Sequence, residues 1–132
     1  AVYCAEKIER MGDLAAHIAD TARFSHPAHA VPAELRDRFA SLGEITAGMA
    51  DRVSALLVDP AEGAFEELER SDATVDALHA EILSAATGPK WTYGPAAASQ
   101  IALTARFYER FGDQAVNVAR RIEFAATGSM PH

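Results

Sequence analysis

Three pairs of carboxylates four residues apart stand out in this sequence, because carboxylates so placed can bind metal ions. Two of them belong to a longer motif, Glu-Arg-Met-Gly-Asp at residues 9–13 and Glu-Arg-Phe-Gly-Asp at residues 109–113. The third pair is Asp72 and Asp76. Residues four apart lie on one face of a helix, one turn apart, so each pair presents two carboxylates together. Oxygen ligands favour hard ions such as Mg²⁺, Ca²⁺, Mn²⁺ or ferric iron, and zinc accepts them too.

The doubled motif repeats two features that weaken a helix. Like charges four residues apart repel by roughly 0.2–0.5 kcal/mol, and a glycine inside a helix costs up to about 1 kcal/mol relative to alanine. The bare backbone at Gly12 and Gly112 would let an ion or a partner helix approach closely. A sequence that carries these costs twice is expected to do so for function rather than for stability.

Three further side chains lie close to the carboxylates in sequence. His79 follows Asp76 by three residues, and His17 follows Asp13 by four. Asn117 takes the place of His17 in the second motif. Each is a candidate accessory ligand or a group that orients a ligand, although a histidine is more often an ordinary, partly exposed side chain.

Helical periodicity runs through the chain, and no sustained alternation typical of strands interrupts it. The clearest apolar seam lies on the second helix and comprises Leu35, Phe39, Leu42, Thr46, Met49, Val53 and Leu56. The first predicted helix runs from Val2 to Phe24, and the second from Pro32 or Ala33 to Asp59. The third has Asp59 as its N-cap and Pro60 in its first position, and it ends at Thr87-Gly88. The fourth runs from Pro95 to Thr127-Gly128. Short connections predict an all-α, antiparallel helical bundle.

The predicted helices allow two carboxylate pairs to meet. Counted from the loop between the third and fourth helices, Asp72 and Asp76 lie roughly 18–25 Å back and Glu109 and Asp113 roughly 20–27 Å forward, at 1.5 Å per residue. The two pairs can therefore lie at the same level of the bundle. Four carboxylates at one level require cations, because crowding them unpaired raises their pKa values or costs several kcal/mol.

Composition narrows the classes of partner. A formal net charge of −7 in 132 residues argues against nucleic acid and favours cations. The single cysteine, Cys4, rules out an intrachain disulfide framework and fits a reducing, cytoplasmic compartment. No apolar run approaches the roughly 20 residues needed to span a bilayer. The helical pattern begins at Ala1 without an N-cap or an initiator methionine, so we expect this chain to be the C-terminal part of a longer protein.

The doubled Glu-Arg-x-Gly-Asp motif, with Asp-x-x-x-Asp on the preceding helix, resembles the PhoU family of phosphate-signalling proteins and looks like the C-terminal part of an actinobacterial-like member. The resemblance covers essentially the whole chain. It implies tandem three-helix repeats, with residues 1–25 as the last helix of the first repeat and residues 32–128 as the complete second repeat. The loop Ser25–Val31 is then the boundary between them.

The resemblance also implies a metal site, a function and partners. The implied cofactor is a multinuclear metal cluster of iron or zinc, with manganese, magnesium and calcium left open. The implied function is a regulatory adaptor that acts negatively on phosphate transport and on the phosphate regulon, between the ATPase of the phosphate ABC transporter and a sensor histidine kinase. We also expect a homodimer, because the first helix has a bare apolar side that a second copy could cover. The implied ligands are Asp72, Asp76, Glu109 and Asp113 for the second repeat, and Glu9 and Asp13 for half of the first.

We expect no catalysis, because the sequence has no nucleophile–base pair and no phosphate-cradling glycine loop. Two alternatives are open. A carboxylate-bridged dimetal enzyme of the ferritin-like type would use Glu-x-x-His on two helices, and Asp76-x-x-His79 is the nearest approach to that motif here. A metal-free helical interaction module would instead leave the carboxylates as a solvated face.

Overall fold

The computed structural model describes residues 2–24 and 32–128, and for residues 20–24 it describes the backbone alone. These residues form an all-α bundle with no strand in the described ranges, as predicted. The predicted boundary at Ser25–Val31 lies outside the described residues. The elements are α1 (Val2–Phe24), a 3₁₀ turn (Ala33–Leu35), α2 (Arg36–Val58), α3 (Ala64–Ala86) and α4 (Gly94–Thr127).

The core lies among α2, α3 and α4. Every residue of the apolar seam predicted on the second helix is buried. On α3 and α4 the apolar residues Phe65, Val75, Ile82, Ile101 and Val118 are buried as well. The helical period therefore predicts which face of each helix enters the core.

Ion pairs and ring contacts give the directions of the helices. Arg38 on α2 pairs with Glu81 on α3 at 3.1 Å, and Arg52 pairs with Glu67 at 3.3 Å, so early residues of α2 lie beside late residues of α3. These two helices are antiparallel. The Phe39 ring on α2 lies against the Tyr108 ring on α4, with 6.1 Å between the ring centroids, so α2 also packs against α4.

The third helix begins later than the sequence predicts. Asp59 and Pro60 do not start it; α3 begins at Ala64, after Gly63. Gly63 has φ +82°, in the left-handed region that glycine adopts without steric cost. Asp59 instead follows α2, and its N–H donates to the Ala55 carbonyl oxygen at 2.9 Å. The Asp-Pro pair therefore ends one helix without capping the next.

The first helix lies mainly against α4 rather than against α2, its neighbour in sequence. The Arg121 guanidinium near the end of α4 lies over the Tyr3 ring at 4.6 Å, and His17 stacks on Phe107 at 5.1 Å. The start of α1 therefore faces the end of α4, and the two helices are antiparallel. On α1, Met11 is buried, whereas Ile8 is 36% exposed. The apolar side of α1 is thus only partly covered.

The loop before α4 is fixed by two aromatic side chains. The Trp91 Nε1–H donates to the Gly94 carbonyl oxygen at 2.8 Å, and the Tyr93 hydroxyl donates to Glu34 Oε2 at 2.7 Å. Trp91 is half-buried against the core. Both residues therefore join the loop to the bundle. None of the helices described here is long and apolar enough to cross a membrane.

Candidate metal centre

Three carboxylates from two helices converge near the middle of the bundle. Asp72 and Asp76 on α3 and Asp113 on α4 each place an oxygen within 4.8 Å of the other two. In the described part of the chain this is the one set of three potential ligands that meets so closely. The prediction that the α3 and α4 pairs lie at the same level is therefore confirmed. The antiparallel packing of α3 on α4 positions them.

A glycine makes room for this convergence. A Cβ at Gly112 would overlap Asp72 Oδ1 and would lie 3.8 Å from Met49 Cε. Gly112 is buried, so the bare backbone of α4 forms one wall of the carboxylate cluster. Gly12, the corresponding glycine of the first motif, is exposed, and a Cβ there would meet nothing within 4 Å. The two motifs therefore have the same sequence pattern in different surroundings.

The negatively charged form of this cluster is destabilised by burial and by mutual repulsion. Asp72 Oδ1 is buried and has no hydrogen-bond partner. Burial, as the largest cause, and repulsion from Asp76 and Asp113 together raise the pKa of Asp72 to about 7. A buried, unpaired carboxylate oxygen costs free energy unless a cation or a proton compensates it.

Glu109 joins the cluster through Asp113. The pKa of Glu109 is raised to about 7, with burial as the largest cause and a hydrogen bond to the Asp113 carboxyl group as the next. Such a bond requires one of the two groups to carry a proton. Burial and the charge of Asp113 also raise the pKa of Asp76, whereas the charge of His79 lowers it. His79 therefore acts on the cluster electrostatically.

These residues fit a metal ion. The donor set is all oxygen, one donor atom is buried and unpaired, and the glycine wall leaves space beside it. All-oxygen sets suit hard cations, and carboxylates that share an ion lose their mutual repulsion. Asp72, Asp76 and Asp113 would hold the ion. Glu109 is close enough to Asp113 to share a hydrogen bond with it.

The remaining predicted ligands lie elsewhere. Glu9 and Asp13 are exposed on α1 and do not join the three-aspartate set. His17 is exposed and stacks on Phe107, in a groove between α1 and α4 that Asp13 also lines. Asn117 is half-buried on α4, one turn beyond Asp113. Roles for these four residues in metal binding stay predictions.

The arginines of the doubled motif also come together, which the sequence pattern did not predict. Arg10 and Arg110 line one groove between α1 and α4, together with Arg106. The motif arginine was visible at both places in the sequence. Its convergence depends on α1 packing antiparallel to α4, which helical periodicity does not specify.

Comparison with known proteins places the chain in a family. The model of the PhoU domain matches residues 39–122, which include all four clustered carboxylates. "Phosphate-specific transport system accessory protein PhoU homolog 1" of Mycobacterium leprae is 40% identical over 133 residues, covering 99% of this chain and 59% of that protein. "Phosphate-specific transport system accessory protein PhoU homolog 2" of Mycobacterium tuberculosis is 38% identical over 133 residues, covering 99% of this chain and 62% of that protein.

The chain spans about three fifths of the length of these relatives. No solved structure matches it. The matched domain takes up more than half of the chain, and the identity extends over nearly all of it. The chain belongs to the PhoU domain family.

Proposed function

We propose that this chain is the metal-binding part of a regulatory adaptor in phosphate uptake. Its relatives are named as accessory proteins of the phosphate-specific transport system. The observation that supports a metal-dependent role is the convergence of Asp72, Asp76 and Asp113, with Glu109 beside them. The adaptor would restrain phosphate transport and the phosphate regulon in the cytoplasm, through contacts with the transporter ATPase and a sensor histidine kinase.

The proposed cofactor is a cluster of iron or zinc ions. Asp72, Asp76 and Asp113 would hold it, and its positive charge would offset the charges of these carboxylates. Asp72 and Asp76 orient oxygens from α3, and Asp113 orients one from α4. Gly112 keeps the backbone of α4 close to Asp72. Metal occupancy would thereby fix the packing of the two helices, and with it the surface that they offer to partners.

We favour an adaptor over an enzyme. A ferritin-like dimetal enzyme uses Glu-x-x-His on two helices, and this chain has Asp76-x-x-His79 once. His79 does not join the close carboxylate set. Oxygen consumption or phosphatase turnover that depends on metal would reverse this preference.

A homodimer is a further part of the proposal. Ile8 is 36% exposed and Leu57 is 50% exposed, and both border the same apolar groove between α1 and α2. A second copy could cover this groove. Light scattering that finds a stable monomer at micromolar concentration would refute the dimer and leave the metal site unaffected.

Elemental analysis by mass spectrometry tests the metal site directly. Tag-free parent protein and the Glu109→Ala/Asp113→Ala variant would be loaded with iron, zinc or manganese and freed of excess ion. We expect stoichiometric metal in the parent and none in the variant. Glu9→Ala/Asp13→Ala removes the matching pair on α1 and should leave the α3–α4 metal in place. Metal-free parent protein under metal-replete conditions would refute the proposal.

A further inference from the structure

The two arginines of the doubled motif meet in one groove, on the side of α4 that faces α1. Arg10 from α1 and Arg110 from α4 line this groove, and Arg106 lies one turn before Arg110. The groove has a volume of about 340 Å³, within the size range of small-molecule sites. The metal site uses the glutamate, the glycine and the aspartate of the second motif, whereas its arginine acts there only through its charge, which lowers the pKa of Glu109.

Helix geometry explains why this arginine turns away from the metal site. Successive residues of an α-helix are about 100° apart around its axis. Glu109 and Asp113 turn toward α3, whereas Arg110 turns toward α1. Because α1 runs antiparallel to α4, the first motif brings Arg10 to the same groove.

The groove concentrates positive charge on an acidic protein. The chain carries a net charge of −7, yet among the described residues that line this groove three are arginines and one, Asp13, is a carboxylate. Neither Arg106 nor Arg110 forms an ion pair within 4 Å among the described residues. Arg10 pairs with Glu6 at 3.2 Å, but both side chains are 56% exposed, and such exposed pairs contribute little. The groove therefore attracts anions.

Apolar and hydrogen-bonding groups complete the walls. Phe107 is stacked against His17, with 5.1 Å between ring centroids and 17° between ring planes. Leu103 is 51% exposed beside them. Gln114 Oε1 is buried in the groove wall without a hydrogen-bond partner. A ligand with an anionic head and an apolar or ring portion would contact the arginines, Leu103 and Phe107 together.

We propose that the groove between α1 and α4 binds a small phosphate-bearing anion through Arg10, Arg106 and Arg110. The planar guanidinium matches phosphate oxygens with paired hydrogen bonds, so arginine is the residue suited to this head group. Leu103 and Phe107 would contact the organic part of a phosphate ester. Inorganic phosphate would use the arginines alone. The groove shares no lining residue with Asp72, Asp76 and Asp113, so this site does not depend on metal binding.

Isothermal titration calorimetry tests the groove with two probes, inorganic phosphate and phenyl phosphate, at constant ionic strength. Chelator-treated protein, and the Glu109→Ala/Asp113→Ala variant, separate the groove from any phosphate bound through metal. We expect binding to persist in both. Arg106→Gln/Arg110→Gln should weaken it by about 10-fold or more, equivalent to at least about 1.4 kcal/mol. Tighter binding of phenyl phosphate would identify an organic ester as the ligand, and equal or weaker binding would identify inorganic phosphate.

A matched variant distinguishes the groove from general charge. Arg36→Gln/Arg70→Gln removes two exposed arginines that lie outside the groove and changes the net charge equally. We expect this control to bind as the parent does. Circular dichroism would verify that each variant is folded. Equal weakening in the two double variants, or no binding of either probe to folded parent protein at millimolar concentration, would overturn the proposal.

Discussion

Gly112 on α4 lies directly against the carboxylate of Asp72 on α3, so closely that a Cβ at position 112 would overlap Asp72 Oδ1. Both residues belong to motifs that are unfavourable for an isolated helix. The contact explains the glycine, because only a residue without a side chain lets α4 approach the cluster. It also explains why the aspartate oxygen is buried without a partner.

Gly112→Ala should abolish metal binding while leaving the chain folded. The added methyl group would displace the Asp72 carboxylate from the cluster. Alanine is the better helix former by about 1 kcal/mol, which offsets part of the cost of that displacement. Elemental analysis after metal loading should find the variant empty, and circular dichroism should find it helical.

Gly12→Ala is the matched control for this substitution. A Cβ at position 12 meets no atom within 4 Å, so alanine should raise the free energy of unfolding by up to about 1 kcal/mol. Its metal content should equal that of the parent. Equal metal content in the Gly112→Ala variant would show that the glycine does not shape the site.

The raised pKa of Asp72 predicts a dependence of stability on pH in metal-free protein. Its pKa is about 7 in the folded chain and about 3.9 when unfolded. Between those values the folded state binds more protons, so this group lowers stability as pH rises from about 4 to 7. Asp72→Asn removes the titration. In EDTA at pH 8 the variant should be more stable than the parent by about 1 kcal/mol, after discounting for solvent screening of a half-buried group.

Urea denaturation at pH 5 and pH 8 measures this difference. The advantage of Asp72→Asn should shrink toward pH 5, where Asp72 is protonated in the folded parent. Asp51→Asn replaces an exposed carboxylate on α2 and should show no such trend. An advantage that grows toward low pH would contradict the predicted sign.

Removal of metal should lower the thermal stability of the parent protein. A ligand that binds only the folded state stabilises it by about 2.7 kcal/mol at 100 times its Kd. In a domain of this size 1 kcal/mol corresponds to a shift in Tm of several degrees. Differential scanning calorimetry should therefore find a Tm about 10 °C lower after chelation. Glu109→Ala/Asp113→Ala should show no change on chelation, and a shift of equal size there would place the metal elsewhere.

The sequence predicts which face of a helix is buried better than it predicts which other helix packs against that face. Leu42 and Met49 recur at the helical period, and both are buried as expected. The level at which Asp72 meets Asp113 follows from counting residues on either side of one short loop. Nothing in the period of α1 says that it lies mainly against α4, since helical periodicity leaves the choice of neighbour to tertiary packing. The groove shared by Arg10 and Arg110 could not be found for that reason.

The start of α3 shows a second kind of ambiguity. Asp59-Pro60 has the residue types of an N-cap and a first turn, and the same residue types also end α2. Gly63 decides between them, because its φ of +82° directs the chain into a helix that starts at Ala64. The Gly63 N–H then donates to Glu123 Oε1 at 2.9 Å, which links the start of α3 to the end of α4.

Gly63→Ala should therefore destabilise the bundle. Alanine at a left-handed φ costs about 1–2 kcal/mol, and relaxation of the turn would also move the N–H that reaches Glu123. Urea denaturation should show the loss as a lower midpoint with an unchanged slope. Gly48→Ala, in the middle of α2 with no atom within 4 Å of the added Cβ, should be stabilising by up to about 1 kcal/mol. If the two substitutions had the same effect, the conformation of Gly63 would not determine where α3 begins.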